Sequence, residues 1–123
     1  MNNRRPAIEE AREQRIDNEA IVDCHEPHEA HSGWFYYMDG RLNLPCTVRC
    51  IETARGCPLK VGDEASMTEL LLEDRPTPFE AILQWKGDEI SVPLAILEVI
   101  DGPEEGREAV ADWRYWVSMG REF

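Results

Sequence analysis

The 123-residue chain carries 25 Asp and Glu against 13 Lys and Arg, a formal charge of −12, with 42% hydrophobic and 8% aromatic residues. That length suits one domain with a real core, and four Trp argue against a disordered polyanion. So acidic a surface disfavours nucleic acid and anionic membranes as partners and concentrates cations, while the apolar runs are far too short to span a bilayer.

Residues 1–15, MNNRRPAIEEAREQR, are expected to be a flexible, solvated leader ahead of a single domain over residues 16–123. Pro6 can start a short helix over Ala7 to Arg15, but that stretch has almost nothing to bury. Its arginines precede no apolar core, so it does not read as a secretory signal. The cysteines at positions 24, 46, 50 and 57 are accordingly expected to be free thiols in a cytoplasmic protein.

Asp17 or Asn18 can cap a helix carrying Ala20, Ile21 and Cys24 on one side. Pro27 interrupts that pattern and is expected to open a second helix running to about Asp39. Ala30, Trp34, Tyr37 and Met38 fall at helical spacing and form its expected buried face. Gly40 sits where a left-handed helix terminus is wanted.

From Cys46 the period becomes two. Cys46, Val48 and Cys50 alternate with Thr47, Arg49 and Ile51, a strand pattern. A second strand is expected through about Leu70. Phe79 to Trp85 and Ile90 to Leu94 form two more, joined by a turn at Lys86-Gly87-Asp88. Asp101-Gly102-Pro103 opens a last helix with Ala109, Val110, Trp113, Trp116 and Val117 on its apolar face, ended by Gly120. The fold class is α+β: a small curled antiparallel sheet or SH3-like barrel, with N-terminal helices and a packed C-terminal helix.

Carboxylates supply the candidate chemistry. Asp39 falls at a helix C-terminus, where partial negative charge makes an acid unfavourable by about 0.3–1 kcal/mol. A hard cation would remove that penalty, since calcium takes six to eight oxygens and the carbonyls of Met38 to Arg41 stand near. Asp23, Glu26 and Glu29 recur at spacings of three, as like charges that repel if one helix holds them. Glu105, Glu108 and Asp112 share a face of the last helix. Glu108 and Asp112 repel unless a cation or an arginine lies between them. Glu104 and Glu105 in the first turn suit the helix dipole and need no further role.

Other chemistries are weaker. The segment Asp101 to Asp112 has acids at its ends and Gly106 at position six, but Pro103 replaces a required ligand, so it is no EF-hand. A zinc or nickel site using Cys24, His25 and His28 is an alternative, although a strict three-residue spacing turns the histidines apart. No nucleophile elbow, phosphate loop or zinc-protease motif is present, so the chain does not read as an enzyme. Another alternative is a metal-independent SH3-like interaction module that holds a peptide against exposed aromatics.

The stretch RIDNEAIVDCHEPHEAHSGWFYYMDGRLNLPCTVRCIE, with the later WKGDEISVPLAILEVID and EAVADWRYWVSMG, resembles the cyanobacterial calcium-binding protein (CcbP) family over about residues 16–120. The resemblance implies a small soluble protein that binds Ca2+ without EF-hands, through acidic surface sites, in buffering or signalling. Asp39 matches the acid that follows the family's aromatic run, with Met38 and Gly40 flanking it. The expected metal ligands are Asp39 as anchor with the backbone carbonyls near it, and, from the like-charge clustering, either Asp23, Glu26 and Glu29 or Glu108 and Asp112 as secondary ligands. The calcium ion is the expected partner; a regulatory protein partner is left open.

Overall fold

Pro27 divides the N-terminal third, because it cannot donate to a preceding turn but fits the first turn of a helix. In a computed structural model describing residues 8–123, the helix it opens, α2, runs Pro27–Asp39. Ahead of it stand α1 (Glu10–Arg15) and a single wide π-turn at Ile16–Ala20; α3 (Glu104–Ser118) follows the sheet. Residues 1–7 lie outside the described residues, and with them the first part of the expected leader.

The chain before α2 differs from its sequence pattern. No side chain of Asp17 or Asn18 caps a helix; instead α1 passes directly into the π-turn, where Ile21 N–H reaches back to Ile16 C=O at 3.0 Å. Ile16 and Ala20, four residues apart and so on one face, both enter the core. The turn then lies hard against α2 at Gly33. A Cβ there would come within 2.5 Å of the Ala20 carbonyl oxygen, so only glycine permits the crossing.

On α2, His31, Trp34, Tyr37 and Met38 are buried, with His31 taking the place expected for Ala30. Gly40 is not left-handed: its φ is −70°. The helix tightens instead, with Gly40 N–H on Tyr36 C=O and both Arg41 and Leu42 N–H groups on Met38 C=O.

Five antiparallel strands follow: β1 (Cys46–Cys50), β2 (Glu64–Leu70), β3 (Glu80–Trp85), β4 (Asp88–Pro93) and β5 (Leu97–Val99). Their order is β4-β3-β2-β1-β5, so the sheet is open, with β4 and β5 as edges; it is the curled-sheet form of the expectation and does not close into a barrel. Alternation puts Cys46, Val48 and Cys50 of β1 inside, as their period of two requires. A bulge between Met67 and Glu69 bends β2. The β3–β4 turn places Lys86 and Gly87 at φ 52° and 83°, the mirror-image turn whose twist suits a tight hairpin.

The helices cover the sheet through aromatic contacts. Trp34 meets Trp113 edge-to-face at 5.3 Å, and Phe79 meets Trp113 at 4.8 Å. Helix α3 approaches the segment after α2 so closely that a Cβ on buried Gly106 would lie 2.7 Å from the Arg41 carbonyl oxygen. Gly120 ends this element at φ 78°, as its position predicts.

Gly106→Ala is expected to destabilise the fold by about 1–3 kcal/mol in urea unfolding, because backbone rather than a flexible side chain must yield. A second expectation concerns His31, stacked on Phe79 and edged by Phe123. Burial pushes its pKa down from 6.5, helped by His28 and opposed by Glu73. The unfolded chain therefore binds this proton first: the contribution is complete above pH ~6.5 and declines as pH falls below it. Unfolding measured from pH 7.5 to 5 should be more pH-dependent in the wild type than in His31→Leu.

Candidate functional site

The expected ligands separate into the two ends of α2. Asp23 sits in the bend before the helix, at φ 57°; Glu26 is the residue before Pro27; Glu29 Oε1 accepts the N–H groups of His25 and Glu26 at 3.0 and 3.1 Å. Helix does not persist across Pro27, so the predicted three-residue face is not formed, and Glu29 serves as a cap. Asp39 lies at the far end. A helix of 13 residues is roughly 18–20 Å long at ~1.5 Å per residue, so the first group cannot share an ion with Asp39.

Asp39 itself is exposed and, among the described residues, makes no ion pair or side-chain hydrogen bond. Of the carbonyls expected to assist it, that of Met38 is engaged, accepting two backbone N–H groups, and one residue earlier the Arg41 guanidinium donates to Tyr37 C=O at 3.1 Å. Arg41 thus caps the helix end and neutralises part of its dipole.

Asp112 is the inverse case. It is 0% exposed and stands where α1, α2 and α3 meet. Its Oδ1 accepts Arg12 Nη1 at 2.6 Å and Arg15 Nη2 at 2.7 Å; its Oδ2 accepts Arg15 Nε at 2.8 Å and the Tyr37 hydroxyl at 2.7 Å. Two donors per oxygen fill the lone pairs, so this carboxylate has no acceptor left for a metal as it stands. Between Glu108 and Asp112 the structure therefore supplies arginine, the second of the two ways to relieve their repulsion. The hydrogen bonds from Arg15 to Asp112 raise the arginine's pKa, and burial followed by the bond to Asp112 raises that of Tyr37.

This network also docks the segment from Glu9 to Arg15, which the sequence presents as part of a free leader. Glu13 binds Arg121 and the Tyr115 hydroxyl, and Arg121 holds its carboxyl below the ordinary range. The docking is ionic, so it leaves no apolar periodicity to read. One signal was available for Asp112: it lies three residues after Ala109 and four before Trp116, within the apolar stripe of α3.

Beside Arg15 lies a shallow depression of about 360 Å³, where the carboxylates of Glu19, Glu104, Glu105 and Glu108 surround Arg15, Arg41 and Tyr37. Arg41 stacks over the Tyr37 ring at 4.1 Å and pairs with Glu19 at 2.9 Å; Arg15 reaches Glu108 at 3.4 Å. Four carboxylates thus face two guanidinium groups, with a net negative remainder. Glu19, Glu104 and Glu105 were not candidates in the sequence. Glu19 joins from 85 positions away, and the helix dipole already accounts for the other two.

The donors are hard oxygens, the class calcium takes. Among the described residues, however, no three His, Cys, Asp or Glu side chains already converge on a common point. Glu19 and Glu108 are about half-exposed, each in an ion pair with an arginine that it would have to loosen to converge on a metal. The alternative thiol–imidazole site does not assemble either. Cys24, His25 and His28 form no metal-holding group among the described residues; Cys24 donates to Glu29 C=O, and burial, then Glu29 and Asp23, raise its thiol pKa above the usual value. Burial, with Asp101, likewise pushes Cys46 up to about 11.

A family model described as calcium binding matches residues 14–117. Among solved structures, Anabaena CcbP superposes with a TM-score of 0.80 at 28% identity, covering 96% of this chain and 98% of that one. A calcium-binding protein in the calcium-binding form superposes at 0.70 with 29% identity, covering 94% and 95%. No curated protein matches the chain.

The Asp112 network generates a graded expectation. Tyr37→Phe removes one hydrogen bond to a charged group and should cost about 1.5–3 kcal/mol. Asp112→Ala strips the counter-charge from two arginines and should cost about 3–5 kcal/mol, both read from urea unfolding.

Proposed function

Because the chain belongs to the CcbP calcium-binding family, we propose that it binds Ca2+ reversibly at the α2–α3 end of the molecule and acts as a calcium buffer or in calcium signalling. The observation that carries this placement is the depression in which Glu19, Glu104, Glu105 and Glu108 outnumber the two arginines among them. Asp39 lies at the same end of α2 as Tyr37 and Arg41, which line it. Its exposed carboxylate is the anchor that the sequence pattern suggests.

Half-exposed glutamates that must rotate to converge support a reversible site of modest affinity, since binding has to offset the ordering of several long side chains. Calcium in turn supplies the positive charge that this acid-rich end lacks. The acids at the opposite end, Asp23, Glu26 and Glu29, have no place in this site. Four free cysteines support a reducing, cytoplasmic setting.

Calorimetric titration tests the reading. The wild type should give calcium heat. Asp39→Asn and the Glu105→Gln/Glu108→Gln pair should each weaken affinity by about tenfold or more, as loss of a charged ligand worth about 1.4 kcal/mol would require. Asp23→Asn/Glu26→Gln should match the wild type. Wild-type protein without calcium heat would overturn the proposal, as would loss confined to the Asp23/Glu26 variant.

A further inference from the structure

Helix α1 buries none of its residues. The contacts described between it and the body are polar: Arg12 and Arg15 on Asp112 and Glu108, and Glu13 on Arg121 and Tyr115. Ile16 immediately after it is 1% exposed, so a fixed anchor follows an element held by charge.

Buried ion pairs gain little over water, because desolvation offsets most of the attraction. Their disruption is nevertheless costly, since it leaves a bare charge behind. Helix α1 therefore stays docked chiefly because Asp112, at 0% exposure, cannot be left without a counter-charge. Whatever delivers equivalent positive charge to that carboxylate removes the reason for α1 to remain. Glu108 and Asp112 carry two negative charges, Arg12 and Arg15 two positive ones, and a calcium ion carries two.

We propose that α1 is a displaceable counter-ion strap: Ca2+ and the Arg12/Arg15 pair are alternative partners of the Glu108 and Asp112 carboxylates, so that calcium uptake undocks the N-terminal helix. This rests on the calcium reading above and adds its structural consequence. Arg15 borders the depression while two of its hydrogen bonds hold Asp112, so an ion that takes Glu108 competes directly with the arginine. By linkage, the coupling is reciprocal: a docked α1 lowers calcium affinity by the same factor as calcium loosens α1.

Hydrogen exchange of residues 10–15 in the full chain, with calcium chloride and with magnesium chloride, reads the strap. Calorimetry of Arg12→Gln/Arg15→Gln reads the competition. A charge-matched control, Arg49→Gln/Arg75→Gln, removes the same charge elsewhere. The α1 amides should exchange about tenfold faster at calcium saturation, and the Arg12/Arg15 variant should bind calcium about tenfold more tightly than the control, a coupling within the usual range. Should the bare Asp112 weaken the folded variant, calcium should raise its Tm by more than it raises that of the control. Glu108→Gln, half-exposed and safe to fold, should lose calcium-induced release. Normal calcium heat with α1 protection unchanged or increased would overturn the strap alone. Absence of calcium heat in every variant would remove the calcium reading and the strap with it.

Discussion

A single carboxylate without access to water holds the helical layer together. Asp112 of α3 takes two guanidinium groups from α1 and a phenol from α2, so three elements distant in sequence meet on two oxygen atoms. In a low-dielectric surrounding each of these bonds is strong, and each partner is costly to strand. The position of Arg15 beside Glu108 follows from that constraint, as does the orientation of the Tyr37 ring. Arg41 then stacks on the ring and reaches Glu19. The acid-rich depression is thus built outward from a site that is itself fully neutralised.

Two kinds of acid consequently coexist in a chain with a formal charge of −12. Asp112 and Glu13 are structural: their oxygens are occupied by arginines and tyrosines, and they contribute to folding as charged groups. Asp39, Glu104 and Glu105 are exposed, and the negative potential they leave is open to mobile cations. Sorting acids by their partners, rather than by their spacing, separates the two sets. It also explains how so acidic a protein can keep its helices packed.

Much of the architecture was legible because it is apolar and local. Trp34, Tyr37 and Met38 fall at helical spacing after Pro27, Cys46 to Cys50 alternate, and Lys86-Gly87 marks the hairpin turn; each appears where its pattern placed it. The π-turn at Ile16–Ala20 was not legible, because no side-chain cap marks it and the surface it packs on, at Gly33, belongs to the next helix. Docking of α1 was hidden for a different reason. Its partners lie 93 to 108 positions away and join by charge, and a charge run has no period that points to its counterpart. Of the acid-rich depression, Glu108 stood out in the sequence as one of a like-charged pair, whereas Glu19 becomes its neighbour only when the helices close over the sheet, and Asp39, the acid that stood out most, does not line it.

The most direct measurement of the central claim is the map of backbone amide NMR shifts in the isotope-labelled protein during a calcium titration. The account predicts saturable shifts around residues 19, 37–42 and 104–108, at the α2–α3 end, accompanied by shifts over residues 10–15 as α1 is released. Shifts centred on residues 23–29, or spectra that calcium leaves unchanged, would contradict it.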